Sequence, residues 1–195
     1  DIKDNRVCGV KLNTGEELAA DIVVSNADTA WTYKNLIDSS VKRRWSRSKV
    51  DRLKLSMSLF VWYFGTNKKY DQVKHHSILL GPRYRGLLDD IFHNKKLADD
   101  FSLYLHRPTA TDPSLAPEGK DAFYVLSPVP NLESDTDWKT ATEPYRASIQ
   151  AYLEKSLLPD LGSNIDVSYV MTPNDFRDDL LSVNGAAFSM QPTLF

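Results

Sequence analysis

Histidine is the side chain best able to carry protons or ligate metals near neutral pH, and this chain has four: His75, His76, His93 and His106. None has a cysteine or carboxylate partner at metal-ligand spacing, and HExxH is absent. His75 and His76 adjoin at the start of an apolar run. In a strand such neighbours point to opposite faces, so structural or exposed roles are expected and no metal site is assigned. The paired acids Asp89–Asp90, Asp99–Asp100 and Asp178–Asp179 fall at helix positions and read as exposed helix surface. Arg107 and Arg177 are candidates to pair with carboxylates, whose identity the spacing leaves open. Neither GxSxG nor a Walker loop occurs, and eight glycines are too scattered for GxGxxG. No catalytic residue is therefore assigned.

A more local signal is the stretch DIVVSNAD, residues 21–28. Ile22, Val23 and Val24 form an apolar run without alternation, the pattern of a strand buried on both faces. The run ends in Ser25, Asn26 and Ala27, which are small or turn-forming. Two readings are open: a plain strand-to-helix turn, or a strand end that a ligand's backbone-binding groups approach closely. Lys42–Lys54 holds seven basic residues against Asp51 alone. It reads as a solvated connector or exposed helix, or as a patch facing anionic lipid head groups. With a net charge of −2, nucleic acid is not an expected partner.

The elements that must position these residues alternate along the 195-residue chain. RVCGVKL and LAADIVVS read as strands joined by a turn containing Gly15. Asp28 or Thr29 caps a helix over DTAWTYKNLID. Strands are expected near 56–64, 76–80, 101–106, 122–127 and 165–171. Helices over 84–99 and 142–158, the latter capped by Thr142, are expected to cover one face of the resulting mixed sheet. Thr172, Pro173 and Asp175 signal a further helix start. Cys8 is the single cysteine, which fits a reducing cytoplasm. No apolar run is long enough to span a bilayer, and aromatics make up 11% of residues.

Three segments, FGTNKKYDQVKHHSILLGPRYRGLLDDIF, DDFSLYLHRPTATDPSLAPEGKDAFYVLSPVPNL and MTPNDFRDDLLSVNGAAFSMQP, resemble the bacterial-type phytoene desaturases, flavoproteins of carotenoid synthesis. The run TDPSLAPEG…FYVLSPVP is the most specific. The resemblance implies a middle-to-late portion of a longer enzyme of α/β (α+β) class. Residues 1–28 would belong to an FAD-binding doubly wound domain through their strand hairpin, 29–182 to a substrate-binding domain with a mixed β-sheet flanked by helices, and 183–195 to the return into the FAD-binding domain. It further implies FAD, held mostly by segments outside this chain, with Ser25, Asn26 and Ala27 near it. The implied partners are phytoene or a related carotenoid and a membrane surface, bound peripherally from the cytoplasm. The implied reaction removes hydrogens from a C40 precursor toward lycopene. A related carotenoid desaturase or isomerase, or a non-catalytic lipid- or carotenoid-binding module, are the alternatives.

Overall fold

The computed structural model describes residues 1–38, 40–41 and 45–191. Its framework is a five-stranded sheet in the order β6-β7-β8-β5-β9, antiparallel at every pairing. The strands are β5 (Ser58–Thr66), β6 (His76–Leu79), β7 (Leu103–His106), β8 (Asp121–Val129) and β9 (Ile165–Met171). They lie where the sequence places them. Strand β5 pairs on both sides, and of its nine residues Tyr63 alone is exposed. Strand β8 alternates buried and half-buried residues along its whole length.

One sheet face carries the main core. Phe60, Trp62 and Phe64 of β5, Phe123 and Val125 of β8, and Leu103 and Leu105 of β7 pack against the long helix α4 (Trp138–Ser156). Helix α4 presents Trp138, Tyr145, Ile149 and Leu153 to the sheet, one stripe at helical spacing. Two polar side chains on this face are paired: Tyr145 Oη with Ser127 Oγ at 2.7 Å, and Trp62 Nε1, which donates to Ser168 Oγ at 2.7 Å. The helix starts four residues before Thr142. Asp137 is its cap, accepting from the Lys139 amide at 3.0 Å, and Pro144 stands inside it.

The expected 84–99 helix is shorter and packs elsewhere. It comprises α3 (Tyr84–Asp89) and a π-helical turn (Asp90–Asn94), stopped by Lys95 in the left-handed region. Leu87 and Ile91 join Ala98, Met57 and Phe92 in a small separate cluster rather than covering the sheet. Short α5 (Leu161–Asn164) leads into β9, and α6 (Pro173–Asp178) follows it. The Thr172 amide and hydroxyl both donate to Asp175 Oδ2 at 2.6 Å, fixing the start of α6.

Two small hairpins open the chain: β1 (Ile2–Lys3) with β2 (Arg6–Val7), and β3 (Gly9–Lys11) with β4 (Glu17–Ala19). The strand expected through Ile22–Val24 does not form. Strand β4 ends at Ala19, and Ile22 and Val24 are 81% and 88% exposed. A two-face-buried strand needs neighbours on both edges, and no described strand lies beside this run. Beyond it come α1 (Thr29–Trp31), capped by Asp28 through the Trp31 amide at 2.8 Å, a π-helical turn (Thr32–Leu36), and α2 (Arg47–Val50).

Candidate functional site: an aromatic row on the open sheet face

Side chains alternate across a sheet, so antiparallel register decides which residues share a row. His76 pairs with His106, His106 with Tyr124, Tyr124 with Tyr63, and Tyr63 with Tyr169. One row of rings therefore crosses all five strands on the face opposite α4. Four strand spacings give it a length of about 19 Å. Ring centroids are 5.7 Å apart for Tyr63–Tyr124, 6.2 Å for Tyr63–Tyr169 and 4.7 Å for His106–Tyr124. Tyr104, one row over, lies 5.7 Å from Tyr124 and stacks on His76 at 5.8 Å. Burial, aided by the Tyr104 hydroxyl, pushes the Tyr124 phenol up to about 12.

The same face is closed at one end and open at the other. Phe176 of α6 covers Leu59 and Val61 with help from Leu126 and Met171. Past Tyr63 the face opens into a cavity of about 480 Å³ whose lining includes Tyr63, Gly65, Leu115, Pro117, Val167 and Tyr169. Gly65 gives the cavity its room, because a Cβ there would stand 2.9 Å from Val167 Cγ1. The Pro113–Leu115 turn of the TDPSLAPEG segment supplies one wall, and a Lys120–Asp166 ion pair is formed by two further lining residues. Apolar walls with few polar atoms suit a hydrocarbon.

A buried ionic knot fixes the loops beside this face. Asp121 Oδ2 accepts from Arg107 Nε at 2.9 Å and from the Tyr70 amide at 2.7 Å, and Oδ1 accepts from Thr109 Oγ1 at 2.6 Å. Arg107 also donates to Asp71 and to the Val73 carbonyl, each at 2.9 Å. Arg107 and Asp121 are 5% and 1% exposed. Arg177, in contrast, pairs with its exposed neighbour Asp178.

The knot leads directly to the histidines. The Arg107 amide donates to the His75 carbonyl at 2.9 Å, pinning His75 just ahead of β6. Strand alternation does not govern a residue outside the strand, so the expected opposite orientation of His75 and His76 is corrected. Their ring centroids are 4.3 Å apart, and His75 Nε2 lies 2.8 Å from His106 Nε2. Burial, with the two neighbouring imidazoles, holds His106 below the ordinary histidine range. His93 lies apart, beside Asp89 on the π-helical turn.

Ser25, Asn26 and Ala27 are all exposed, with Ser25 Oγ 3.3 Å from Thr32 Oγ1 and 3.4 Å from the Ala27 amide. The strand expected to lead into them is not formed. No glycine-rich turn opens a helix among the described residues, so they do not by themselves make a dinucleotide cradle. Of the basic stretch, Lys42, Arg43 and Arg44 lie outside the described residues, while Arg47, Lys49, Arg52 and Lys54 are exposed. Among the described residues no helix is long and apolar enough to cross a membrane. The aromatic row escaped the sequence reading because its members come from five strands. Tyr63 within an apolar run and Tyr124 within an alternating one were its only local traces.

No family model matches the chain. Curated relatives do. The chain is 47% identical over 197 residues to a neurosporene-forming phytoene desaturase of Rhodobacter capsulatus, covering 98% of this chain and 38% of that protein. It is 48% identical to the corresponding protein of Cereibacter sphaeroides, over 99% and 38%, and 44% identical to a lycopene-forming phytoene desaturase of Pantoea ananas, over 97% and 39%. Among solved structures, an oxidoreductase from Methanosarcina mazei matches with a TM-score of 0.53 at 16% identity, over 87% of this chain and 35% of that one, which supports the fold. The chain thus spans under two fifths of the length of the first of these relatives, and over nearly all its residues it is similar to phytoene desaturases.

Proposed function

We propose that the full-length protein is an FAD-dependent desaturase that takes hydrogens from phytoene or a related C40 carotenoid, and that this chain forms its substrate platform. The identity of 47% over almost the whole chain to a phytoene desaturase carries the reading. The open sheet face supports it. A hydrocarbon offers no hydrogen bonds, so affinity must come from apolar and aromatic contact, which the row from Tyr169 to His76 and the cavity beside Gly65 provide. The lack of a polar catalytic constellation in the sequence agrees with such a substrate.

FAD is proposed as the cofactor of the whole protein, held mainly by residues outside this chain. Residues 1–28 would contribute one wall near Ser25–Ala27, residues 29–182 the substrate domain, and 183–195 the return toward the flavin. The basic stretch is proposed as a peripheral contact with anionic lipid, since the substrate resides in the bilayer.

Incubating the full-length protein with FAD and phytoene-loaded liposomes tests the reading. The expected outcome is flavin absorbance that co-purifies with the protein and products of extended conjugation. Bound flavin without conversion of phytoene, ζ-carotene or neurosporene would refute the substrate. The 195-residue chain made by itself should be colourless, and stoichiometric flavin on it would overturn the assignment of FAD to outside segments.

A further inference from the structure

We propose that His75, His76 and His106 form a binding site for a zinc-class divalent cation at the edge of the substrate platform. Each offers one ring nitrogen, and the three nitrogens lie within 4.8 Å of one another. Tetrahedral zinc with Zn–N bonds of about 2.0–2.1 Å puts neighbouring ligand nitrogens about 3.3 Å apart. The 2.8 Å separation of the His75 and His106 Nε2 atoms is slightly inside that distance, and the His76 nitrogen lies within 4.8 Å of both rings' ligand atoms. Side-chain rotations on the order of an ångström therefore convert the cluster into a ligand set.

The surrounding contacts already favour this use of the rings. Ligating histidines characteristically hold their second nitrogen in a hydrogen bond, which fixes ring orientation and tautomer. His75 Nδ1 is paired with Thr111 Oγ1, and His76 Nδ1 with Tyr104 Oη at 2.6 Å. The Nε2 atom of each is then the one left to bind a cation. The backbone is equally constrained: His76 and His106 are register partners across β6 and β7, and the Arg107 knot fixes the His75 carbonyl. Three imidazoles without a carboxylate select zinc, copper or nickel over magnesium or calcium, which require oxygen ligands.

His76 is exposed and the other two are half-buried, so a fourth position faces solvent. A hydrocarbon has no atom to occupy it. The ion would act as a clasp between the segment just ahead of edge strand β6, β6 itself and β7, holding the end of the aromatic row.

The test uses tag-free, full-length protein stripped with chelator and dialysed against Zn(II) at about pH 7.5. One zinc per chain is expected, with affinity reduced at least tenfold in His76→Gln and in His106→Gln. Co(II) in place of zinc should give visible bands of a tetrahedral site that both variants lose. His76→Gln removes an exposed ring and leaves the core intact, so it decides the matter if His106→Gln does not fold. Zinc retention no greater than in the His75→Gln/His76→Gln/His106→Gln variant, or single variants with unchanged affinity, would overturn the proposal. Zinc content is read independently of flavin content and desaturation.

Discussion

Removing the Asp121 carboxylate strands the Arg107 guanidinium in the interior. Asp121 accepts three hydrogen bonds, from Arg107, Thr109 and the Tyr70 amide. After Asp121→Leu, Arg107 keeps the Val73 carbonyl and Asp71, whose side chain is 82% exposed and so offers a water-screened partner. Breaking a buried pair costs about 3–5 kcal/mol, and the retained Asp71 contact places this variant near the middle of that range, at about 4 kcal/mol. Arg107→Met leaves the Asp121 charge with two hydrogen bonds and should cost about 3 kcal/mol. The double variant Asp121→Leu/Arg107→Met has no uncompensated charge and should cost only about 1–3 kcal/mol, well below the sum of the two. Urea unfolding of the full-length protein, followed by tryptophan fluorescence at Trp62 and Trp138 in the adjoining core, measures the cycle. Single-variant costs that add to the double-variant cost within about 0.5 kcal/mol would refute the reasoning, because the pair would then be uncoupled. Lys120→Met, which breaks a half-exposed pair, should stay within about 1 kcal/mol of the parent.

Three further outcomes follow from the open face and its surroundings. Tyr63→Ala or Tyr169→Ala in the full-length enzyme should raise KM for phytoene about five- to thirty-fold, the equivalent of about 1–2 kcal/mol of lost aromatic contact, with Tyr→Phe near parental; unchanged KM in both alanine variants would remove the row from substrate binding. The Tyr124 phenol, raised by burial to about 12, ionises later in the folded than in the unfolded chain. The unfolded state therefore loses its proton first above about pH 10, and stability should fall as pH rises toward 12; in Tyr124→Phe that part of the alkaline loss should disappear, as measured by unfolding at fixed pH values. Arg47→Gln with Arg52→Gln should weaken co-sedimentation with anionic liposomes at low salt by about 1 kcal/mol for each residue that reaches the surface, and identical sedimentation would discard the lipid contact.

The sequence was most legible where burial is decided by local pattern. Strand β8 alternates, β5 is an unbroken apolar run between two partners, and Thr172 with Asp175 caps α6 by side-chain chemistry three residues apart. Boundaries were less legible. Lys95 ends the α3 segment by turning left-handed, a position a lysine side chain does not advertise. The β1–β2 hairpin rests on Asp4 and Asn5 at positive φ, which is a recognisable turn pair that an N-terminal reading passes over. The Ile22–Val24 run shows the reverse error, since an apolar run states a preference for burial without supplying the strands that would bury it. Site residues were the least legible. Arg107 and Asp121 are 14 positions apart and His75 and His106 are 31 apart, so their pairing depends on register and loop closure rather than spacing.

The aromatic row has a consequence for motion along the sheet. Its members present ring faces and edges at intervals of roughly a strand spacing. A flexible hydrocarbon laid across them would meet another ring after each strand spacing, so on the proposed reading the platform would resist loss of the hydrocarbon more than its lengthwise displacement. Such a surface resembles a smooth rail more than a socket. In the proposed desaturase it would let successive carbons of one molecule be advanced past a fixed reacting centre without release, and it would leave the stopping point to whatever stands at the rail's ends, where Tyr169 lies on one side and the three histidines on the other.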